Sequence, residues 1–194
     1  IYSHGHEIGC HSMKHELVYK LTPSEFRKDT RIAIDTIENI IGEKVILYRA
    51  PAFSITKDTP WAFEILSELG ITHDSSVFPA KHDYGGFPDF RNREPSFIET
   101  NGILIKEFPI NTLDIFNQSI VFSGGGYFRL IPYYLIKKWA AKSNYVMSYF
   151  HPRDFDKDQP VLQHLPLIRK FKSYYGLKGA GAKFDSYVYD FKTS

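Results

Sequence analysis

The stretch HGHEIGCHSMKH, residues 4–15, holds His4, His6, His11 and His15, half of the eight histidines in a chain of 194 residues. Imidazole binds divalent metals and moves protons near neutral pH. In His11-Ser12-Met13-Lys14-His15 two imidazoles stand four apart. On a helical turn that spacing puts both on one face, close enough to grip a single ion. The same spacing occurs on helix surfaces with both rings solvated. Two ligands also leave a site incomplete: it needs a third, typically a carboxylate, and open positions for water and substrate. Two histidines and a carboxylate suit zinc and equally non-haem iron; spacing does not choose between them.

Three further side chains fall where chemistry tends to sit. Arg49 opens Arg49-Ala50-Pro51-Ala52-Phe53, a Pro-stiffened turn. A guanidinium there either faces solvent or orients a carboxylate through paired N–H bonds. His151 closes an apolar run and precedes Pro152. It is either a satisfied buried histidine or a general acid. Asp74 ends a short run over 71–74.

Positioning these groups requires strands that alternate with helices. Thr22-Pro23-Ser24-Glu25 supplies an N-cap, a Pro at the first helical position and a capping-box Glu. Phe26, Thr30, Ala33, Ile37 and Ile41 then form one stripe, and Gly42 stops the helix. Residues 45–48 read as a buried strand. A second helix follows Pro60, with Trp61, Ile65, Leu66 and Leu69 inward and Gly70 as its end. Residues 7–11, 71–74, 103–108, 120–122 and 145–150 read as strands or strand exits, 132–142 and 184–191 as helices. Residues 78–101, rich in Pro, Gly, Asp, Asn and Arg, read as a long loop. Gly124-Gly125-Gly126 marks a sharp turn or a close approach. The alternation predicts an α/β fold with parallel strands, in an open sheet or a barrel. In such folds reactive groups gather at the C-terminal ends of strands. His11, Arg49, Asp74 and His151 each lie at or just past such an end.

Hydrophobic residues make up 43% and charged residues 24%, an ordinary globular balance for one domain spanning residues 1–194. With a net charge of +2 and no Lys/Arg block, composition gives no case for nucleic acid. No apolar run approaches a membrane span, no signal peptide opens the chain, and the lone Cys10 carries no disulfide signature. Cytoplasm and periplasm both stay open. Aromatics reach 16%, which fits a Phe/Tyr-rich core or a groove where sugar rings rest on flat faces.

Taken in order, these stretches resemble the NodB-type polysaccharide deacetylases, metal-dependent carbohydrate esterases. Gly5-His6-Glu7-Ile8-Gly9 and His11-Ser12-Met13-Lys14-His15 match the family's H-[ST]-x-x-H motif and its lead-in. Arg49-Ala50-Pro51 matches R-x-P, and Tyr149-Phe150-His151-Pro152 matches the last strand with its histidine. RAPAFS (49–54), DSSVFP (74–79) and GGGYFRL (124–130) are similar to the exopolysaccharide and surface-polysaccharide branch. Arg153-Asp154 departs from that branch, where an aromatic and a Glu are usual, and this departure alters the expected substrate rim.

The resemblance implies a (β/α) barrel that is incomplete at its front. The family's Asp-rich first motif supplies the catalytic base and the carboxylate ligand, and it has no counterpart before His4. By that reading roughly 30–60 residues, one or two βα units, precede Ile1. The implied metal is divalent, zinc foremost, held by His11 and His15, with Ser12 bracing their loop. His4 and His6 are left to structure or solvent. The implied reaction removes N-acetyl groups from amino sugars of a polysaccharide. His151 acts as general acid, Arg49 holds the base, and Asp74 orients His151. A backbone N–H near Ala52 joins the oxyanion site, while Phe53, His82, Asp83, Tyr84 and Tyr127 line the glycan groove. The alternative is a carbohydrate-binding relic of the same fold without the base.

Overall fold

The computed structural model describes residues 1–81, 84–100, 102–115 and 118–192. They form two compact units, Ile1–Ile110 and Asn111–Ser194.

The first unit is built on the predicted helix α1, Pro23–Ile41. Its capping box is complete. Thr22 Oγ1 accepts the Glu25 N–H at 3.3 Å, and Glu25 Oε2 accepts the Thr22 N–H at 2.8 Å. Gly42 ends the helix at φ 77°, a left-handed value that costs a β-carbon residue energy but not glycine. Phe26, Ala33 and Ile34 turn inward against Ile55, Leu66, Ile71 and Ile105. Helix α2, Trp61–Glu68, adds Ala62, Phe63 and Ile65 to the same core.

The sheet of this unit holds β1 (Leu47–Tyr48), β2 (His73–Asp74), β3 (Ser96–Thr100) and β4 (Ile103–Glu107) in the order β1-β2-β4-β3. β1, β2 and β4 are parallel, with Tyr48 opposite Asp74 and Asp74 opposite Glu107. Cys10 extends the parallel set by one bridge to Tyr48, its N–H on Leu47 O at 2.8 Å and its O accepting the Arg49 N–H at 3.0 Å. The parallel α/β expectation holds here, in a sheet that stays open among the described residues. One expectation fails: residues 78–101 are not all loop. β3 pairs antiparallel with β4, Phe97 facing Lys106 and Glu99 facing Leu104. Its charged and polar residues carry no apolar alternation, so only the pairing shows it.

The second unit has a hairpin, β5 (Leu113–Ile115) with β6 (Gln118–Ile120), and four helices: α3 (Gly125–Leu130), α4 (Tyr133–Ala140), α5 (Leu167–Tyr174) and α6 (Leu177–Phe191). Phe122, Phe128, Ile136, Ala140 and Tyr187 are its core. The strand expected over 145–150 reduces to one bridge, Tyr149 to Gly124. A Cβ on Gly124 would collide with Tyr149, so the triple glycine marks a close approach of backbone to an aromatic residue. α5 was not foreseen, and α6 starts seven residues before the helix expected from 184. No helix among the described residues is long and apolar enough to cross a membrane.

Candidate metal and hydrolytic site

His11 and His15 come together, but not on a helix. Ser12 and His15 adopt φ values of 67° and 57°, the left-handed region, so the segment is an irregular loop leaving the Cys10 bridge. Their rings nevertheless pack edge to face with centroids 5.0 Å apart and planes at 77°. A tetrahedral ion bonded to two imidazole nitrogens at about 2.0–2.1 Å sets their centroids roughly 5 Å apart, so the pair fits a shared cation. His11 Nδ1 lies 2.6 Å from the Arg49 carbonyl. A carbonyl only accepts, so Nδ1 carries the proton and Nε2 carries the lone pair a metal needs. The Ser12 hydroxyl braces the loop, accepting the His15 N–H at 2.8 Å. His4 and His6 are exposed; His4 ends a short 3₁₀ turn, Tyr2–His4. Among the described residues no three His, Cys, Asp or Glu gather to hold a metal.

Arg49 lies at the C-terminal end of β1. Its Nε donates to Ser75 O at 3.2 Å, its Nη2 to Ser75 Oγ at 2.9 Å, and its guanidinium sits 5.7 Å from the Phe53 ring centroid. The Pro51–Phe53 turn that follows is strained: Ala52 and Phe53 have φ of 51° and 52°. With Ser12 and His15 these are the four positive-φ non-glycine residues among the described ones. Each costs about 1–2 kcal/mol, and all four fall in the two motifs assigned to the site. Gly85 backs directly onto the Phe53 and Ala52 carbonyls, where a Cβ would not fit. Tyr84, beside it, is half exposed. His82 and Asp83 lie outside the described residues.

Asp74 is buried at the end of β2, 1% exposed. Its carboxylate accepts the Ser76 hydroxyl at 2.6 Å and the Ser76 N–H at 3.0 Å, and Ser76 Oγ in turn accepts the Ala50 N–H at 2.8 Å. Its register neighbour Glu107 is fully buried, with Oε1 accepting the Val77 N–H at 3.0 Å. Burial, then the charge of Asp74, push the Glu107 carboxyl well above the usual carboxylate range. Burial also raises Asp74, but hydrogen bonds from Glu107 and Ser76 favour its ionised form. Two carboxyls buried side by side disfavour two charges, which favours a single proton held by the pair, with Glu107 raised the further of the two. Oε2 of Glu107 is buried with no donor near it among the described residues, as an oxygen that carries the proton itself would be.

The partners of Asp74 that the structure shows lie within its own unit. Its carboxylate is committed to Ser76 and Glu107, and it braces the turn after Arg49. In the second unit the carboxylate beside His151 is Asp154. Its Oδ2 accepts the His151 backbone N–H at 2.9 Å and lies 3.6 Å from His151 Nδ1. Asp154 is 5% exposed, and its Oδ1 lies 3.3 Å from Nη2 of buried Arg129. Burial opposes its charge, but the His151 hydrogen bonds and Arg129 outweigh this and hold its pKa below the ordinary value. Of the Arg153-Asp154 pair, Arg153 is exposed while Asp154 is buried and braces His151 from inside the unit. His151 itself is exposed, and Tyr127, on α3, is 45% exposed.

Sequence reasoning missed Ser76, Glu107, Arg129, Asp154 and Asp29. For Asp29 a signal existed, a carboxylate on the inward stripe of α1 between Phe26 and Thr30. For Glu107 none did, since strand register alone brings it to Asp74.

The polysaccharide deacetylase family model matches residues 1–73, which include His11, His15 and Arg49. A second model, Domain of unknown function (DUF3473), matches residues 75–194, which include His151. The seam between the two falls at Asp74, the last residue of β2, inside the sheet of the first unit and before β3 and β4. No curated protein matches the chain significantly. Among solved structures, one described as a polysaccharide deacetylase from Mycobacterium smegmatis is 24% identical with a TM-score of 0.46, over 57% of this chain and 34% of that one. Another, from Pseudomonas aeruginosa PAO1, is 18% identical with a TM-score of 0.46, over 72% of this chain and 42% of that one. The chain thus spans 34% and 42% of the lengths of these two. By the match over residues 75–194 the chain belongs to the family described as Domain of unknown function (DUF3473), and its residues 1–73 match the polysaccharide deacetylase model.

Proposed function

We propose that the protein contributes to metal-dependent removal of N-acetyl groups from amino sugars of a polysaccharide. One observation carries the reading: two imidazoles at 5.0 Å, edge to face, with His11 Nδ1 committed to the Arg49 carbonyl. That arrangement presents His11 Nε2, and with it His15, to one divalent cation, zinc in our assignment. When bound, the cation supplies a Lewis acid for the acetamide carbonyl and an acidified water. Arg49 presents a fixed guanidinium for a carboxylate. His151 donates a proton to the departing amine, and Ala52, Phe53, Tyr84 and Tyr127 contact the glycan. The motif order supports these roles, and the strained backbone at Ser12, His15, Ala52 and Phe53 agrees with a site rather than a scaffold.

Calorimetric titration with zinc tests the reading on wild type, His11→Ala, His15→Ala, His4→Ala and His6→Ala. The first two substitutions should each abolish most of the binding and the last two should leave it intact. Equal loss in all four sinks the assignment. Acetate release from N-acetylated oligosaccharides, assayed with added zinc, separates an enzyme from a glycan-binding relic, which binds sugar without turnover.

A further inference from the structure

We infer that Asp29 is the positioning residue that fixes the separation of His11 and His15, and through it the affinity of the metal site; this rests on the metal reading above. The residues between the two imidazoles form neither helix nor strand, and two of the five in the motif sit at left-handed φ. Such a loop persists only where its surroundings over-determine it. Beside the His11 bond to the Arg49 carbonyl and the Ser12 brace, one carboxylate holds the middle of the loop. Asp29 Oδ2 accepts the Met13 N–H at 2.9 Å, and Oδ1 accepts the Lys14 N–H at 3.1 Å. With the His15 N–H on Ser12 Oγ, three successive backbone donors are satisfied inside the loop. A helical turn over the same residues would send those N–H groups along its axis instead. Asp29 therefore stabilises the irregular path against the helical one that the HxxxH spacing favours.

The anchor is rigid. Asp29 lies on the buried face of α1, 8% exposed, between Phe26 and Thr30, in a helix fixed by its capping box and core contacts. Only a carboxylate serves both donors. A carboxamide offers one acceptor oxygen and would turn its NH₂ toward the second N–H. Charge-assisted bonds of this kind are about twice as strong as neutral ones. Asp29 touches no reacting atom; it acts through the backbone that carries the ligands.

The test is zinc titration of residues 1–194 as wild type, Asp29→Asn, Asp29→Glu and His11→Ala, with the visible absorption of bound Co²⁺ as a second readout. Residues that orient ligands typically change metal affinity about 10–100-fold, and Asp29→Asn should lose zinc affinity within that range. Its Co²⁺ spectrum should change while its metal-free far-UV circular dichroism stays that of wild type. Asp29→Glu keeps both oxygens at the wrong reach and should fall between. Wild-type affinity and an unchanged Co²⁺ spectrum in Asp29→Asn overturn the inference. If Asp29→Asn does not fold, Asp29→Glu decides by the same criteria. His11→Ala separates the two layers: if it too binds zinc as wild type does, the metal reading has failed; if it alone loses zinc, only the role of Asp29 has.

Discussion

Replacing Glu107 with Gln should flatten the pH dependence of folding stability in the first unit. In the folded protein the Asp74–Glu107 pair retains a proton because both groups are buried side by side. In the unfolded chain a Glu releases that proton at about pH 4.3. From about pH 5 upward the folded state therefore binds one proton more than the unfolded state, and stability falls as pH rises. One retained proton gives a slope of about 1.4 kcal/mol per pH unit, lasting until the raised folded pKa is reached. Glutamine reproduces the neutral acid: its oxygen can accept the Val77 N–H, and its NH₂ carries protons beside Asp74 without a charge. At pH 5 the variant should lie within about 1 kcal/mol of wild type, and above that it should become progressively more stable than wild type until the raised folded-state pKa is passed. The assay is urea unfolding at unit pH steps. It is best read from Trp61 on a Trp139→Phe background, because the chain has two tryptophans and Trp139 belongs to the second unit. Parallel stability curves for wild type and variant would refute the shared proton. A variant that is less stable at every pH would show that Glu107 is needed as an anion.

Two further outcomes concern the second unit. Lys183 Nζ donates to the carbonyls of Phe128, Arg129 and Ile131 at 3.0, 2.9 and 3.0 Å, closing the C-terminal end of α3 with a cation. Lys183→Met should cost about 1–3 kcal/mol in chemical denaturation, because it leaves partly buried carbonyls unsatisfied. Gly124→Ala places a methyl against the Tyr149 backbone and ring. It should lower the thermal midpoint by several degrees, as an overpacking cost of about 1–3 kcal/mol requires, whereas Gly179→Ala, with nothing near its Cβ, should not.

Local chemistry was legible in the sequence because local interactions decide it. Thr22, Pro23, Glu25 and Gly42 mark both ends of α1 through bonds that span at most four residues. The apolar runs around β1, β2 and β4 announce buried parallel strands, and the histidine pair was visible as a candidate for metal ligation. The conformation of that pair was another matter. HxxxH has a helical period, but the N–H donors of Met13 and Lys14 go to Asp29, fifteen or sixteen residues away, and no periodicity within the motif encodes that competition. β3 was invisible because its stability comes from pairing with β4, not from its own composition. Asp74 shows the limit most directly. The sequence placed it at a strand end, but its partner was set by the parallel register that puts Glu107 opposite it, 33 positions on. A carboxylate's role depends on what surrounds it, and here burial and strand register, not sequence spacing, supply those surroundings.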